Sequence, residues 1–221
     1  DEVTLAGLAL ALTSWSASAG FDGRSGRATV PIEGGVKRQE EGGRGKTYPR
    51  TDPVAIGLVL SPDRQQILLN SVKGMPGFYT CISGFVDQCE SVEDALTREA
   101  FEEAGVRLAS VELYGSQAWP IGRGGSCELM IGCRALAAST ELQVNLAEVA
   151  DARWFGREEV LQMLAGKHPQ RLWTPGPIAI AHHLIRSWAQ PEPHYTSVLL
   201  QEPATNGRKP APGGGATGQR R

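Results

Sequence analysis

A short stretch of the sequence gathers acidic side chains around one arginine. Glu99, Glu102 and Glu103 lie within five positions, and Arg98 directly precedes them. Residues three and four apart share one helix surface, so Glu99 contacts both other carboxylates there and the like charges repel. A solvated acidic face is one interpretation. The other is a divalent-metal site, because Mg²⁺ and Mn²⁺ take oxygen ligands.

The residues that precede this cluster favour the metal site. Glu90 comes just before the expected start of the helix, Gly84 opens a loop that lets backbone approach closely, and Arg98 can orient the Glu99 carboxylate. Carboxylates that converge with backbone carbonyls and water form the ligand set that a hard cation requires. The pattern therefore predicts a Mg²⁺ or Mn²⁺ site.

The helix that carries the cluster has recognisable ends. Ser91 and Asp94 resemble a capping box with Asp in place of Glu, and the helix should run to about Glu103 before Gly105 ends it. Apolar runs and turn residues predict strands and further helices around it. The strands are expected at 54–60, 66–69, 80–86 and 129–137, the last buried on both faces, and the helices at 158–164 and 178–188. This order predicts an α/β layered domain with a mixed sheet.

Composition bounds the class of protein. The 221 residues are 41% hydrophobic and 21% charged, with a net charge of −2, as in an ordinary soluble globular protein without the basic face of a nucleic-acid binder. The apolar run from Leu5 to Leu12 is far shorter than a membrane helix and follows acidic residues, unlike a signal peptide. Four cysteines without a Cys-x-x-Cys pair predict free thiols in a reducing compartment.

The chain divides into four predicted segments. Residues 1–19 form an apolar helical segment that packs on the protein, and residues 20–47 are rich in Gly and charge and cannot build a core of their own. Residues 48–190 alternate between short apolar runs and turns, and this pattern predicts one catalytic domain. Residues 191–221 are rich in Pro, Gly and Ala and are expected to be a disordered tail.

The stretch from Gly84 to Val106, GFVDQCESVEDALTREAFEEAGV, resembles the Nudix box at every fixed position. The resemblance implies an α/β/α sandwich around a mixed sheet and hydrolysis of nucleoside diphosphates linked to another group. It also implies Glu99 and Glu103 as main metal ligands, with Glu102 as a further ligand or the group that orients the attacking water. Glu90 would support the cluster, and the Ser83 carbonyl would be another ligand.

A second motif resembles one branch of that family. Ser116-Gln117-Ala118-Trp119-Pro120 is similar to the SQPWP signature of NADH pyrophosphatases, with Ala118 in place of proline. The resemblance implies substrate contacts by the signature and by positions before and after it, and it implies a late acidic metal ligand. These substrate-binding residues are Tyr48, Ser83, Gln117, Trp119, Pro120 and Ala179, and the late ligand is Glu148.

Related enzymes carry a zinc ribbon with four cysteines before the tyrosine. Its ligand positions here fall on Asp22, Ser25, Glu40 and Gly43, so this segment resembles a degenerate ribbon and structural zinc is expected to be absent. Without the folding free energy of a metal, residues 20–47 should be floppier than in relatives. The resemblance also implies a homodimer.

The expected reaction is metal-dependent hydrolysis of NADH to reduced nicotinamide mononucleotide and AMP. NADPH, NAD⁺ and the NAD cap of an RNA 5′ end are further candidate substrates, because they carry the same pyrophosphate. The alternatives are a Nudix hydrolase for another nucleoside diphosphate derivative, such as ADP-ribose, and a non-catalytic dinucleotide sensor. We expect no membrane association. The compartment is left open between cytosol, chloroplast and mitochondrion, and the C-terminus is not a peroxisomal tripeptide.

Overall fold

A seven-stranded mixed sheet forms the centre of the molecule. The computed structural model of the chain describes residues 2–120, 122 and 125–190, so the predicted disordered tail lies outside the described residues. The strands are β4 (Thr51–Leu60), β5 (Gln66–Ser71), β6 (Tyr79–Thr80), β7 (Ile82–Phe85), β8 (Leu108–Trp119), β9 (Cys127–Ala137) and β10 (Asp151–Gly156). Their main order is β10-β5-β4-β9-β8, with β6 on β5 and β7 on β4. The β4 and β9 strands are parallel and the other pairs are antiparallel.

Helices cover both faces of this sheet. Helix α2 (Val92–Ala104) packs with the apolar residues of one face, around Ala55, Leu68 and Leu96. Helices α3 (Arg157–Leu164) and α4 (Ile180–Ala189) pack on the other face, around Phe155 and Leu184. The result is the α/β/α sandwich with a mixed sheet that the sequence predicted.

Local sequence accounts for the placement of helix α2. The Ser91 hydroxyl accepts a hydrogen bond from the Asp94 backbone N–H at 3.1 Å and caps the helix, as predicted. At the other end, Gly105 takes φ +71°, a left-handed conformation that glycine adopts without steric cost. Gly57 on β4 lets the helix approach the sheet, because a Cβ there would lie 2.3 Å from the fully buried Leu96 Cδ2. Burying that leucine contributes about 2 kcal/mol.

Several predicted elements differ in extent from the observed ones. The single strand expected at 80–86 is two short strands, β6 and β7, and the helix expected from Ile178 begins at Ile180. Strand β9 is buried only in part, since Leu129 is 36% exposed while Cys133 and Ala135 are buried. Strands β8 and β10 were not predicted from the sequence.

Residues 20–47 form a small separate sheet that composition did not predict. Strands β1 (Thr29–Ile32), β2 (Lys37–Glu40) and β3 (Lys46–Thr47) pair antiparallel, with a 3₁₀ turn at Glu33–Gly35. Polar contacts hold it, as expected for a segment without an apolar core. The Arg38 guanidinium donates to the hydroxyl and carbonyl of Thr29 at 2.8 and 2.7 Å, and to the Ser16 hydroxyl of helix α1 (Glu2–Ser18) at 2.8 Å.

Helix α1 lies against the loop that follows β8. A Cβ on Gly7 would be 2.9 Å from the Pro120 ring, and the Ser14 hydroxyl donates to the Gly125 carbonyl at 2.8 Å. Over the described ranges, none of the helices combines the length and the apolar character needed to cross a membrane. The four cysteines are free thiols, as predicted.

Candidate active site

Arg98 organises the carboxylates around helix α2. Its guanidinium donates two hydrogen bonds to the Glu90 carboxylate, both at 2.9 Å. It also donates to Glu99 at 2.7 Å and to Glu102 at 3.0 Å, and it reaches the Phe85 carbonyl at 2.9 Å. Two parallel hydrogen bonds to one carboxylate add geometric specificity to the charge attraction. The Arg98–Glu99 contact that such an orienting role requires is present, and the role itself stays a prediction.

A cavity of about 450 Å³ lies beside this network. Four elements supply its walls: β4, the β7 strand with the loop that follows, helix α2, and β9, together with the segment that precedes β10. Its lining residues are Val54, Ser83, Gly84, Phe85, Asp87, Arg98, Glu99, Glu103, Glu128, Met130 and Glu148. Carboxylates that are distant in sequence therefore line the same cavity.

Gly84 allows Glu99 to reach this cavity. A Cβ on Gly84 would lie 1.9 Å from the Glu99 Oε1 atom and 2.0 Å from its Cδ atom. The glycine therefore leaves the room that the carboxylate occupies. Its backbone is not in the left-handed region, so the requirement is one of space and not of conformation.

The surroundings of Glu99 and Glu90 shift the pKa values of their carboxyl groups in opposite directions. Burial raises the pKa of Glu99, and the neighbouring Glu102 and Glu148 charges add to this, although Arg98 opposes it. Hydrogen bonds from Arg98 and from the Asp87 backbone hold the pKa of Glu90 below its usual value. Hydrogen bonds to the carboxylates of Glu90, Glu99 and Glu102 raise the pKa of Arg98 above its usual range. A cation placed near Glu99 would relieve the cost of its burial.

The donor set of the cavity suits a hard divalent cation. Glu99, Glu103 and Glu148 contribute carboxylate oxygens, the atoms that Mg²⁺ and Mn²⁺ prefer. Across the described residues, however, no three acidic, histidine or cysteine side chains are arranged to hold a metal ion. Glu99 is hydrogen-bonded to Arg98, and Glu148 accepts from the Asn145 amide at 2.9 Å. Metal binding would therefore exchange some of these hydrogen bonds for coordination.

The structure separates the predicted site residues into groups. Ser83, Glu99, Glu103 and Glu148 share the cavity with Arg98. Glu102 lies on the outer side of the helix, where its carboxylate contacts Arg98 and its side chain is 44% exposed. Glu90 is bound to Arg98 at the helix start. These positions leave Glu102 open to solvent at the edge of the cluster.

The predicted substrate-binding residues other than Ser83 lie outside this cavity, on β8 and in the segments before β4, after β8 and before α4. Among the described residues, Tyr48, Gln117, Trp119, Pro120 and Ala179 are not part of the cavity wall. Tyr48 is 58% exposed, and Trp119 is paired across β8 and β9 with Glu128, which does line the cavity. Gln117 uses its amide to hold the chain before α4, donating to the Ile178 carbonyl and accepting from the Ile180 N–H, both at 2.7 Å. This clamp explains why α4 begins later than predicted.

Sequence reasoning missed two buried polar residues of this region. Glu128 on β9 is 8% exposed and lines the cavity, and Asn70 on β5 is 4% exposed and contacts Glu103. Each interrupts an apolar strand, and Asp, Asn and Glu are depleted in strands. A polar residue in an otherwise buried strand was thus the available signal.

The NUDIX domain family matches residues 51–175, which include the whole cavity. The chain belongs to the Nudix family. This confirms the family predicted from the box motif. The described fold agrees, since a NUDIX hydrolase structure from Nitrosomonas europaea superposes with a TM-score of 0.53 at 16% identity. That likeness covers 76% of this chain and 89% of the other.

Three similar Nudix proteins carry names that concern NAD or a compartment. The NAD-capped RNA hydrolase NUDT12 of Homo sapiens is 40% identical, over 84% of this chain and 41% of the relative. The mitochondrial NAD(P)H pyrophosphatase NUDT13 of Homo sapiens is 37% identical, over 86% and 55%. The chloroplastic Nudix hydrolase 19 of Arabidopsis thaliana is 34% identical, over 87% and 53%. This Nudix chain thus spans about half the length of these relatives.

Proposed function

We propose that this Nudix protein hydrolyses the pyrophosphate bond of NADH, giving reduced nicotinamide mononucleotide and AMP. The observation that carries the proposal is the cavity in which Glu99, Glu103 and Glu148 meet beside Arg98. Relatives named for NAD(P)H and NAD-capped RNA support a dinucleotide as substrate. NAD⁺, NADPH and an NAD-capped RNA end present the same bond and are further substrates within this proposal.

Mg²⁺ or Mn²⁺ would be held by the carboxylates of Glu99, Glu103 and Glu148 and the Ser83 carbonyl. When bound, the ion would neutralise pyrophosphate oxygens and lower the pKa of a coordinated water. Without such a cation, the five acidic side chains that line the cavity would repel an anionic substrate. The composition of the cavity therefore argues for a cation as part of the substrate complex.

The residues of the chain then perform distinct tasks. Arg98 fixes the carboxylates of Glu90, Glu99 and Glu102 relative to one another, so little reorganisation is needed during the reaction. The exposed Glu102 carboxylate orients the attacking water and accepts its proton. The water oxygen bonds to one phosphorus in line with the bridging oxygen, the P–O bond to that oxygen breaks, and two mononucleotides leave.

The segment around Trp119 supplies the substrate-binding surface. Trp119 lies directly opposite Glu128 across β8 and β9, so both side chains are on one face of the sheet. Gln117 holds the Ile178–Ile180 backbone, and this contact positions Ala179 beside that strand. We propose that Trp119, Pro120 and Ala179, with Tyr48 from the domain start, bind the parts of the dinucleotide beyond its pyrophosphate.

The test is incubation of the protein with NADH and Mg²⁺ or Mn²⁺, followed by chromatography of the products. The expected result is equal amounts of reduced nicotinamide mononucleotide and AMP. Binding of NADH without turnover in either metal would instead indicate a sensor. A parallel substrate panel ranks NAD⁺, NADPH, ADP-ribose and a short NAD-capped RNA by kcat/KM. Turnover of ADP-ribose alone would refute the dinucleotide assignment and keep the Nudix activity.

The proposal also extends to the cellular compartment and the oligomeric state. The free cysteines favour a reducing compartment, and similar proteins carry chloroplastic and mitochondrial names. We also propose a homodimer, which light scattering of the purified chain tests directly. A monomer over the full working concentration range would refute the dimer without affecting the chemistry.

A further inference from the structure

Asn70 is an unexpected residue in the most buried strand of the sheet. It follows Ile67, Leu68 and Leu69 on β5, which are fully buried, and is itself only 4% exposed. A buried amide that lacks full hydrogen bonding is costly, and Asn is disfavoured in strands. Packing alone therefore gives no reason for an amide at this position.

The Asn70 amide is directed at a carboxylate of the active-site cavity. Its Nδ2 atom donates to the Glu103 Oε2 atom at 2.7 Å, and both residues are buried. An ionised carboxylate only accepts hydrogen bonds, so the amide nitrogen and not the oxygen must face Glu103. A carboxylate that ligates a metal ion is ionised, and in that state this bond is charge-assisted and stronger than one between neutral groups.

The oxygen atom of the Asn70 amide is in a different situation from its nitrogen. Within the described part of the chain, Asn70 Oδ1 is buried and has no hydrogen-bond partner. The strand thus tolerates an unsatisfied oxygen while keeping the Nδ2 contact. A leucine would avoid this cost, which indicates that the donor serves the carboxylate it touches.

We propose that Asn70 is a positioning residue for the metal-binding carboxylate of Glu103. By holding the Oε2 atom of Glu103, it restricts the rotation of the side chain and fixes the orientation in which the carboxylate faces the cavity. The inference rests on the proposed function, since it takes Glu103 as a ligand. It reaches the site from β5, a strand that lies outside the Nudix box and contributes no wall to the cavity.

The experiment measures Mn²⁺ binding to the substrate-free protein by electron paramagnetic resonance. In Asn70→Leu the amide is replaced by an apolar side chain of similar size. We expect this variant to bind Mn²⁺ about tenfold more weakly, which is the lower end of the effect of removing a hydrogen bond to a metal-ligating side chain. Ser71→Ala is the matched control, because Ser71 is the next buried residue on β5 and points to the opposite face. It should bind Mn²⁺ like the unaltered protein.

A double variant separates positioning from general structural damage. If Asn70 acts through Glu103, Asn70→Leu should lose its effect when Glu103→Gln is already present, because the two residues form one coupled pair. Thermal unfolding in EDTA is recorded for each variant, and Asn70→Ala serves if the leucine variant does not fold. An additive loss of affinity in the double variant would refute the positioning role.

The remaining outcomes distinguish this inference from the proposed function. Unchanged Mn²⁺ affinity in both Asn70 variants, together with weakened binding in Glu103→Gln, would overturn the inference and leave the metal site intact. Absence of Mn²⁺ binding by the unaltered protein would overturn both. Weak binding by Asn70→Leu that is matched by Ser71→Ala would assign the effect to the strand and also overturn the inference.

Discussion

Replacing Gly84 by alanine should displace the Glu99 carboxylate while leaving the fold in place. The added Cβ would lie 1.9 Å from Glu99 Oε1, whereas an ordinary contact begins at 3.4 Å, so the carboxylate must retreat by about 1.5 Å. The same oxygen accepts the 2.7 Å hydrogen bond from Arg98. The substitution therefore breaks this contact and moves the proposed ligand out of place.

The expected magnitude follows from that displacement. A misplacement of 1 Å in a catalytic geometry can lower the rate by about 100-fold, so we expect at least this loss in kcat. Stability should change by no more than about 1 kcal/mol, because the backbone of Gly84 accepts a Cβ and the colliding group is the end of a flexible side chain. Gly84→Ala is thus predicted to lose most of its activity while keeping nearly all of its stability.

The assay compares NADH turnover and thermal unfolding of Gly84→Ala and Gly156→Ala. Gly156 precedes helix α3 with φ −78°, and a Cβ there meets no atom within 4 Å, so it is a neutral control. We expect the control to keep the activity of the unaltered protein. If Gly84→Ala retained that activity as well, the assignment of Glu99 to the reaction would be refuted.

Three further predictions address other parts of the site. Glu102→Gln should lower turnover by about 10² to 10⁴-fold without changing the circular dichroism melt, as loss of a proton acceptor does, and a near-normal rate would contradict its role. In the folded protein, Arg98 lowers the pKa of Glu90 below its value of 4.5 in the unfolded chain. The pair therefore stabilises the fold fully above about pH 4.5. This contribution is lost as the pH falls through the lowered pKa. The unfolding midpoint of Glu90→Gln should accordingly fall less steeply than that of the unaltered protein between pH 5 and 3, and parallel curves would argue against it. Elemental analysis of the purified protein should find no stoichiometric zinc, because Gly43 supplies no ligand and Asp22 is already engaged by its own turn.

The segment of residues 20–47 shows where composition was a poor guide to secondary structure. Asp22 Oδ1 accepts hydrogen bonds from the backbone of Arg24 and Ser25 at 3.0 and 2.9 Å, and these bonds hold a local turn. Glu40 occupies the space at Gly43, where a Cβ would lie 2.1 Å from Oε2. Neither hydrophobic core of the described residues includes a residue of this segment, yet backbone pairing joins three strands there. Whether it is more mobile than in relatives stays a prediction.

Local sequence determined helix α2, which carries the proposed metal ligands Glu99 and Glu103. The Ser91 cap, the Gly105 end and the spacing of Glu99 and Glu103 act over a few residues, so they can be recognised without knowing the fold. The same short range explains why the Nudix box and the family could be identified from residue types alone. Helices α3 and α4 were located for this reason too, within one or two residues at their ends.

Only the tertiary structure decided which other residues meet that helix. Asn70 and Glu128 come from β5 and β9, and they reach the site because strand order and register bring them there. The family resemblance named Glu148 in advance, but the structure alone shows that it lines the same cavity as the carboxylates of helix α2. Pairing between strands distant in sequence depends on the packing of the whole core, which no local pattern encodes. The same packing turned Gln117 toward the start of α4 and placed Glu102 at the solvent edge of the cluster.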